Sequence, residues 1–252
     1  MKLLFKLGML AGVLCSALHA ETLKIAIQGA LPPYDYMEGG KMKGFNVDIT
    51  NALCMEMKVT CQIVKTPWEN IIPNVAAGKV DAAISTVTIT EERKKIVAFT
   101  DKYAQTPGSF VAKKGKFLSV YITNLDLQNK VIGYQAGTTY ANLIKGRYPQ
   151  IKSIGYPSTD KMYEALVAGE IDIAINDMVS SYDGFLQSPA GKGYELVGSP
   201  IRDSKYMGTG EGIVVRLGNQ ALVGRFNKAI ATIRQNRVYD QIMNKYFIFN
   251  IY

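Results

Sequence analysis

The amino-acid sequence predicts an α/β protein built as two similar lobes. Three observations carry that prediction. Short apolar runs of strand character alternate with helical stretches along the chain, which argues for mostly parallel sheets covered on both faces. One strand–helix pattern occurs twice, about 100 residues apart. The chain's 252 residues, 48% hydrophobic and 20% charged, describe a folded protein of one large or two small domains.

The first element is a leader. Met1-Lys2 opens the chain, and after Lys6 an apolar run from Leu7 to Leu18 covers 12 residues. A bilayer-spanning helix needs roughly 18–20. With its positive start and Ala20 behind the apolar core, the stretch 1–20 fits a secretory signal peptide, cleaved after Ala20 or after Ala17. Cys15 raises lipid attachment as an alternative, but Leu14 stands where such signals place a small residue. The protein is expected to be exported.

Strands are expected at 23–28, 59–64, 80–85, 109–112, 131–134, 151–156, 171–176 and 212–215. Helices are expected at 45–57, where Phe45, Ile49, Leu53 and Met57 recur at fourfold spacing, and at 68–77, 138–145, 160–168, 178–186, 219–234 and 238–246. Cys54 and Cys61 fall at the end of the first helix and in the strand after it. In an exported chain this even pair is expected to form a disulfide across the turn, contributing about 2.5 kcal/mol in the chain-entropy account. A free thiol is the alternative.

The repeat is specific. Ala76-Ala77-Gly78-Lys79-Val80-Asp81-Ala82-Ala83-Ile84-Ser85 resembles Val167-Ala168-Gly169-Glu170-Ile171-Asp172-Ile173-Ala174-Ile175-Asn176. In both, a helix ends at a glycine able to take the left-handed capping conformation, and a buried strand follows that ends on a small polar residue. Lys24-Ile25-Ala26-Ile27-Gln28-Gly29 likewise parallels Lys130-Val131-Ile132-Gly133-Tyr134-Gln135. Two such lobes would face each other with polar residues at the carboxyl ends of their strands, where open α/β sheets bind ligands.

Composition narrows the chemistry. His19 is the one histidine and lies in the leader, so the mature chain has no imidazole for acid–base, nucleophilic or metal-binding work. The formal charge of +8 becomes +6 without Lys2 and Lys6, and the remaining basic residues are scattered apart from Lys113-Lys114-Gly115-Lys116. That pattern reads as a solvated surface, with no nucleic acid as partner. No cofactor and no metal are expected.

Candidate functional residues fall at the expected cleft. Along Ser85-Thr86-Val87-Thr88-Ile89-Thr90-Glu91-Glu92-Arg93, hydroxyls and a helix start meet one arginine, which can grip both oxygens of a carboxylate. Thr88 and Thr90 are both candidate helix caps, and Thr88 with Glu91 fits a capping box. The alternative is that Arg93 solvates a helix face beside Lys94 and Lys95. Gln135-Ala136-Gly137-Thr138-Thr139-Tyr140 joins a strand to a helix with glycine and hydroxyls, a source of amide donors for the same anion. Asp177, after Asn176, either caps the following helix or meets a cation in the cleft. Trp68 is either core or an aromatic wall for a ligand.

A longer set of motifs spans the mature chain nearly without gaps. It runs through Gly44-Phe45-Asn46-Val47-Asp48, the Cys54/Cys61 pair, Ile71-Ile72-Pro73, Ser85 to Arg93 and Ala98-Phe99-Thr100-Asp101. It continues through Gly137-Thr138-Thr139, Ala168-Gly169-Glu170-Ile171-Asp172 and Lys245-Tyr246-Phe247. With these motifs the chain resembles the periplasmic solute-binding proteins of the polar amino-acid ABC transport family, in particular the lysine/arginine/ornithine- and histidine-binding branch. The resemblance implies a type II periplasmic binding protein fold, with lobe 1 at 21–108 and 202–252, lobe 2 at 109–201, and two hinge strands between them. It implies a free amino acid bound between the lobes and delivered to the membrane permease and ATPase subunits of an importer. Arg93 matches the arginine that holds the ligand α-carboxylate, helped by the backbone at Thr88 and Thr139. Asp177 matches the aspartate that holds the α-ammonium. Ser85, Thr86, Thr88, Thr138 and Gln135 complete the shell, and Trp68 takes the place of an aromatic stacked on the side chain.

The side-chain pocket departs from that branch. Its basic-ligand binders commonly carry an acidic residue where this chain has Gln28, and an aromatic where it has Leu31. Losing both removes a counter-charge and one side of an aromatic sandwich, and an unpaired buried cation is costly. Glu69 and Asp35 are candidates for the replacement charge. The resemblance as a whole points to arginine, lysine, ornithine or histidine, whereas Gln28 and Leu31 point to a polar uncharged amino acid. Further alternatives are a sensor module and an enzyme resembling cyclohexadienyl (prephenate/arogenate) dehydratases, the latter requiring a carboxylic acid placed as proton donor.

Overall fold

The computed structural model describes residues 21–252; the expected signal peptide, with Cys15, lies outside the described residues. β1 (Thr22–Ile27) leads through the hairpin β2 (Tyr36–Glu38) and β3 (Lys41–Lys43) into α1 (Phe45–Met57). α1 buries Phe45, Ile49 and Leu53, in keeping with their spacing, and stops at Lys58 in the left-handed conformation, where Val59 N–H donates to the Cys54 carbonyl. The Cys54–Cys61 disulfide, with Cα atoms 6.1 Å apart, ties this turn to β4 (Thr60–Lys65). A 3₁₀ turn at Trp68–Asn70, α2 (Ile71–Ala76), β5 (Ala82–Ala83), α3 (Glu91–Lys94) and β6 (Val97–Ala104) follow.

The chain continues with β7 (Gly108–Lys113), β8 (Val131–Gln135), α4 (Thr139–Arg147), β9 (Lys152–Tyr156), α5 (Thr159–Ala168) and β10 (Ile173–Asp177). The expected helix at 178–186 is α6 (Met178–Ser180) continued by a π-helical turn, Ser181–Leu186. β11 (Tyr194–Ile201), α7 (Ser204–Met207), β12 (Glu211–Arg216), α8 (Gln220–Gln235) and α9 (Val238–Tyr246) complete it.

Two five-stranded sheets result, in the orders β4-β1-β5-β12-β6 and β11-β7-β10-β8-β9. β1 runs parallel to β4 and β5, and β8 runs parallel to β9 and β10. Outside the separate β2–β3 hairpin, antiparallel pairs are confined to β6, β7, β11 and β12 with their neighbours, the strands that carry the chain between the sheets. Each sheet has a core on both faces. Ile25 and Ile27 pack with Phe45 and Phe226, whereas Ala26 between them packs with Ile71 and Val75. In the second sheet Phe110 and Ile132 pack with Leu143, and Val111 and Ala174 with Met162 and Leu166.

The strand pattern in the sequence missed the β2–β3 hairpin, β6 and β11. Edge position explains the last two. β6 and β11 border their sheets, where Asp101 and Lys102 in one, and a bulge carrying Gly198 and Pro200 in the other, interrupt the apolar signal at little cost.

The chain crosses between the sheets at 105–107 and again at 202–210. On the return crossing, Tyr206 and Met207 pack against the second core, and Asp203 pairs with Arg147 of α4 at 3.0 Å. Among the described residues no helix is long and apolar enough to cross a membrane.

Candidate functional site

A cleft of about 1030 Å³, its open mouth included, lies between the sheets. Gln28 follows β1, Thr86 and Thr88 follow β5, Gln135 and Asp177 end β8 and β10, and all of them line it. The site thus forms at the carboxyl ends of the parallel strands. Leu31, Trp68, Arg93, Thr138 and Thr139 line it as well.

Ser85 does not line the cleft. It is buried behind the wall, where its Oγ accepts the Gln28 N–H (3.0 Å) and faces the Asp35 carboxylate (3.5 Å). Asp35 is fully buried and also outside the lining, accepting from Gly29 N–H (2.7 Å) and Asn46 Nδ2 (2.6 Å). Burial pushes its carboxyl up to about 6 against the pull of these hydrogen bonds. Asp35 therefore organises the turn after β1 and supplies no charge to the cleft. Glu69 is exposed and lies outside the lining.

Arg93 brings a cation to the lining. Thr90 caps α3, its Oγ1 accepting the Arg93 N–H at 3.2 Å. This corrects the expected Thr88–Glu91 capping box: α3 starts at Glu91, so Thr88 lies two positions too early, and its backbone bridges to Glu211. From this base the guanidinium donates to the Thr88 carbonyl (2.8 Å) and, across the cleft, to the Gly137 carbonyl (3.0 Å). It also stands 5.6 Å from the centre of the Trp68 ring. The ion pairs among the described residues do not include it. Burial lowers its pKa to about 10, so it remains charged at neutral pH. Opposite, the Thr138 hydroxyl donates to the Gln135 carbonyl (2.7 Å) and makes no cap, leaving the Thr139 and Tyr140 amides at the start of α4 without helical partners.

Asp177 takes the capping role and also has a place on the cleft. It caps α6, with Oδ1 accepting the Ser180 N–H at 2.8 Å, and it lines the cleft. Its Oδ2 accepts from the Thr106 hydroxyl, which lies 2.9 Å from the Tyr34 hydroxyl. Thr106 has one proton and gives it to Asp177, so Tyr34 is the donor to Thr106. Burial raises the Asp177 carboxyl to about 6, opposed by these hydrogen bonds, and it is still mostly ionised at pH 7.

Sequence reasoning overlooked Tyr34, Thr106, Tyr140 and Glu211, all on the lining. For Glu211 a signal existed: an acid between Gly210 and Gly212, opening an apolar strand. Thr106 and Tyr34 carried none, because only the sheet crossing brings them to Asp177. Among the described residues no three histidine, cysteine, aspartate or glutamate side chains gather as a metal site.

A fixed cation from one sheet and a carboxylate from the other complement a small molecule bearing both charges. Known proteins share the whole framework. An L-arginine-binding protein of Pseudomonas aeruginosa is 40% identical over 256 residues, covering 98% of this chain and 98% of the relative. The lysine/arginine/ornithine-binding periplasmic protein of Escherichia coli is 35% identical over 236 residues, covering 92% and 90%. The solved structure of an ancestral arginine-binding protein bound to glutamine matches with a TM-score of 0.80 at 30% identity, covering 90% of this chain and 97% of that one. The sequence profile of the bacterial extracellular solute-binding proteins, family 3, extends over residues 23–249, taking in both sheets and the cleft, and this chain belongs to that family.

Proposed function

We propose that this chain is the periplasmic receptor of an ABC importer, exported by its leader, that binds one free basic L-amino acid and hands it to the permease and ATPase subunits. The observation that carries the reading is the split of charge, with Arg93 on the first sheet's side of the cleft and Asp177 on the second. Arg93 and the first turn of α4 take the α-carboxylate. Asp177, held by Thr106, takes the α-ammonium, with Thr86 and Thr88 adding oxygens and Trp68 a face for the side chain. Contacts divided in this way are complete only when the lobes close, so ligand favours the closed state. The lobes are read along the sheets, and the packing of Tyr206 and Met207 against the second core favours a return hinge near Gly208–Gly210.

The names of the relatives support a basic ligand and a receptor role without catalysis. Gln28 and Leu31 favour a second reading, a polar uncharged amino acid, which the glutamine bound to the ancestral arginine-binding protein also supports. Calorimetric titration of the mature protein against the common amino acids decides between them. Arginine, lysine, ornithine or histidine should bind; a preference for glutamine or asparagine would establish the second reading, and no binding at all would refute both. Ligand at about 1,000 times its Kd should add about 4 kcal/mol of stability. Arg93→Ala and Asp177→Ala should each abolish that gain.

A further inference from the structure

Gln28 and Leu31 bring no charge to the cleft, and neither Asp35 nor Glu69 lines it. Besides Asp177 the lining carries two acids, Asp203, which is paired with Arg147, and Glu211. Glu211 opens β12 directly after the return crossing, and its backbone bridges to Thr88 on the Arg93 side. Its Oε2 is buried and has no hydrogen-bond partner. A buried carboxylate oxygen left unsatisfied is expensive, and a fold retains one only for a reason. Packing does not supply that reason, since Ile213, Val214 and Val215 give β12 its core contacts. On the same lining Asn176, 3% exposed, carries an amide nitrogen that is also without a partner.

We propose that Glu211 is a second acidic ligand-binding residue of the cleft and that, together with Asp177, it selects amino acids carrying two positive charges. The inference rests on the amino-acid-receptor reading and names the residue that sets its specificity. The α-ammonium satisfies Asp177, and the side-chain ammonium or guanidinium satisfies Glu211, replacing the counter-charge absent at Gln28.

The surroundings of Glu211 give the selection its mechanism. Burial and the nearby Asp177 push its carboxyl well above the usual range; its own amide, that of Thr106 and the charge of Lys102 on β6 pull the other way. The remaining titratable neighbours are Tyr34 after β1, Tyr140 on α4, Tyr103 on β6 and Tyr239 on α9. Arg202 and Asp203 line the cleft from the crossing. Glu211 therefore holds a proton more readily than an ordinary carboxyl. A ligand with a single ammonium leaves that balance unchanged, whereas a ligand with a second cation favours loss of the proton.

Calorimetric titration of the mature wild type and of Glu211→Gln with arginine and with glutamine, in phosphate and in Tris at pH 7, tests this. The wild type should prefer arginine and release a proton, seen as a buffer-dependent enthalpy. Glu211→Gln should lose arginine affinity by about 10- to 100-fold, keep its affinity for glutamine, release no proton, and melt like the wild type without ligand, because the amide copies the neutral acid. Glu211→Asp, which retains the acid one carbon shorter, should recover part of the arginine affinity. Unchanged arginine affinity in a folded Glu211→Gln overturns the proposal and leaves the receptor reading intact. A wild type that binds no amino acid overturns both.

Discussion

Asp35, Asp177 and Glu211 are carboxyls held in places where ionisation is opposed by burial, and all three have raised pKa values. The sign of the consequence follows from linkage. Between the unfolded value of 3.8 and the folded value of about 6, Asp35 binds more proton when folded. Stability therefore falls as pH rises through that window, and it is lower at pH 7 than at pH 5. Asp35 alone should account for about 1 kcal/mol between those two pH values, with Asp177 acting in the same direction. Glu21 and Asp126 are held below the usual carboxylate range by hydrogen bonds and act in the opposite sense only in stronger acid. Urea denaturation of the ligand-free protein at pH 7 and pH 5 checks this; equal stability at the two, or a loss at pH 5, would contradict it. Ligand binding should show the reverse trend, weakening below pH 6 as Asp177 takes up its proton.

At the level of elements, the turn from β3 into α1 decides whether Asp177 is correctly held. Gly44 has φ +120°, and a Cβ there would meet the carbonyl oxygens of Tyr34 at 2.4 Å and Pro33 at 2.8 Å. Those carbonyls accept the Asn46 and Phe45 N–H groups, so the helix start and the Tyr34 loop are one unit. Gly44→Ala should cost at least about 2 kcal/mol and should also weaken ligand binding, because Tyr34 would lose its place against Thr106. The disulfide lies at the other end of α1, remote from the cleft. Replacing Cys54 and Cys61 with serine should cost about 2.5 kcal/mol of stability and leave ligand affinity unchanged. Thermal melts and calorimetry on the two variants separate these outcomes.

At the level of the whole molecule, one side chain spans the gap between the lobes. Arg93 donates to Thr88 on its own side and to Gly137 on the other, over the ring of Trp68, the only tryptophan. The Trp68 indole nitrogen also lies 3.3 Å from where a Cβ of Gly137 would be, so its surroundings change whenever the lobes move apart. Trp68 fluorescence should accordingly change in a saturable way on adding ligand. In Arg93→Ala the free protein should already show the emission of an open cleft, and ligand should not alter it. A ligand response that survives intact in that variant would remove Arg93 from the closure mechanism.

Local chemistry was enough to place most of the fold and to make candidates of the two principal charges. Helix α1 follows from its fourfold apolar spacing, the two sheets from the repeated glycine-capped strand pattern, and Arg93 and Asp177 from their positions beside helix starts at strand ends. Such signals are short-range, so they are complete within a dozen residues. Edge strands β6 and β11 were illegible because Asp101 and Lys102 in one, and the bulge at Gly198 and Pro200 in the other, break the apolar pattern, which an edge tolerates. Ser85 could not be told from its neighbours Thr86 and Thr88, since facing the cleft or the wall behind it depends on strand pairing. The Tyr34–Thr106–Asp177 chain and the placement of Glu211 were decided only in three dimensions. Their partners lie 71 or more residues apart or on the far side of a sheet crossing, and a carboxylate without a partner can be recognised only once all its surroundings are in place.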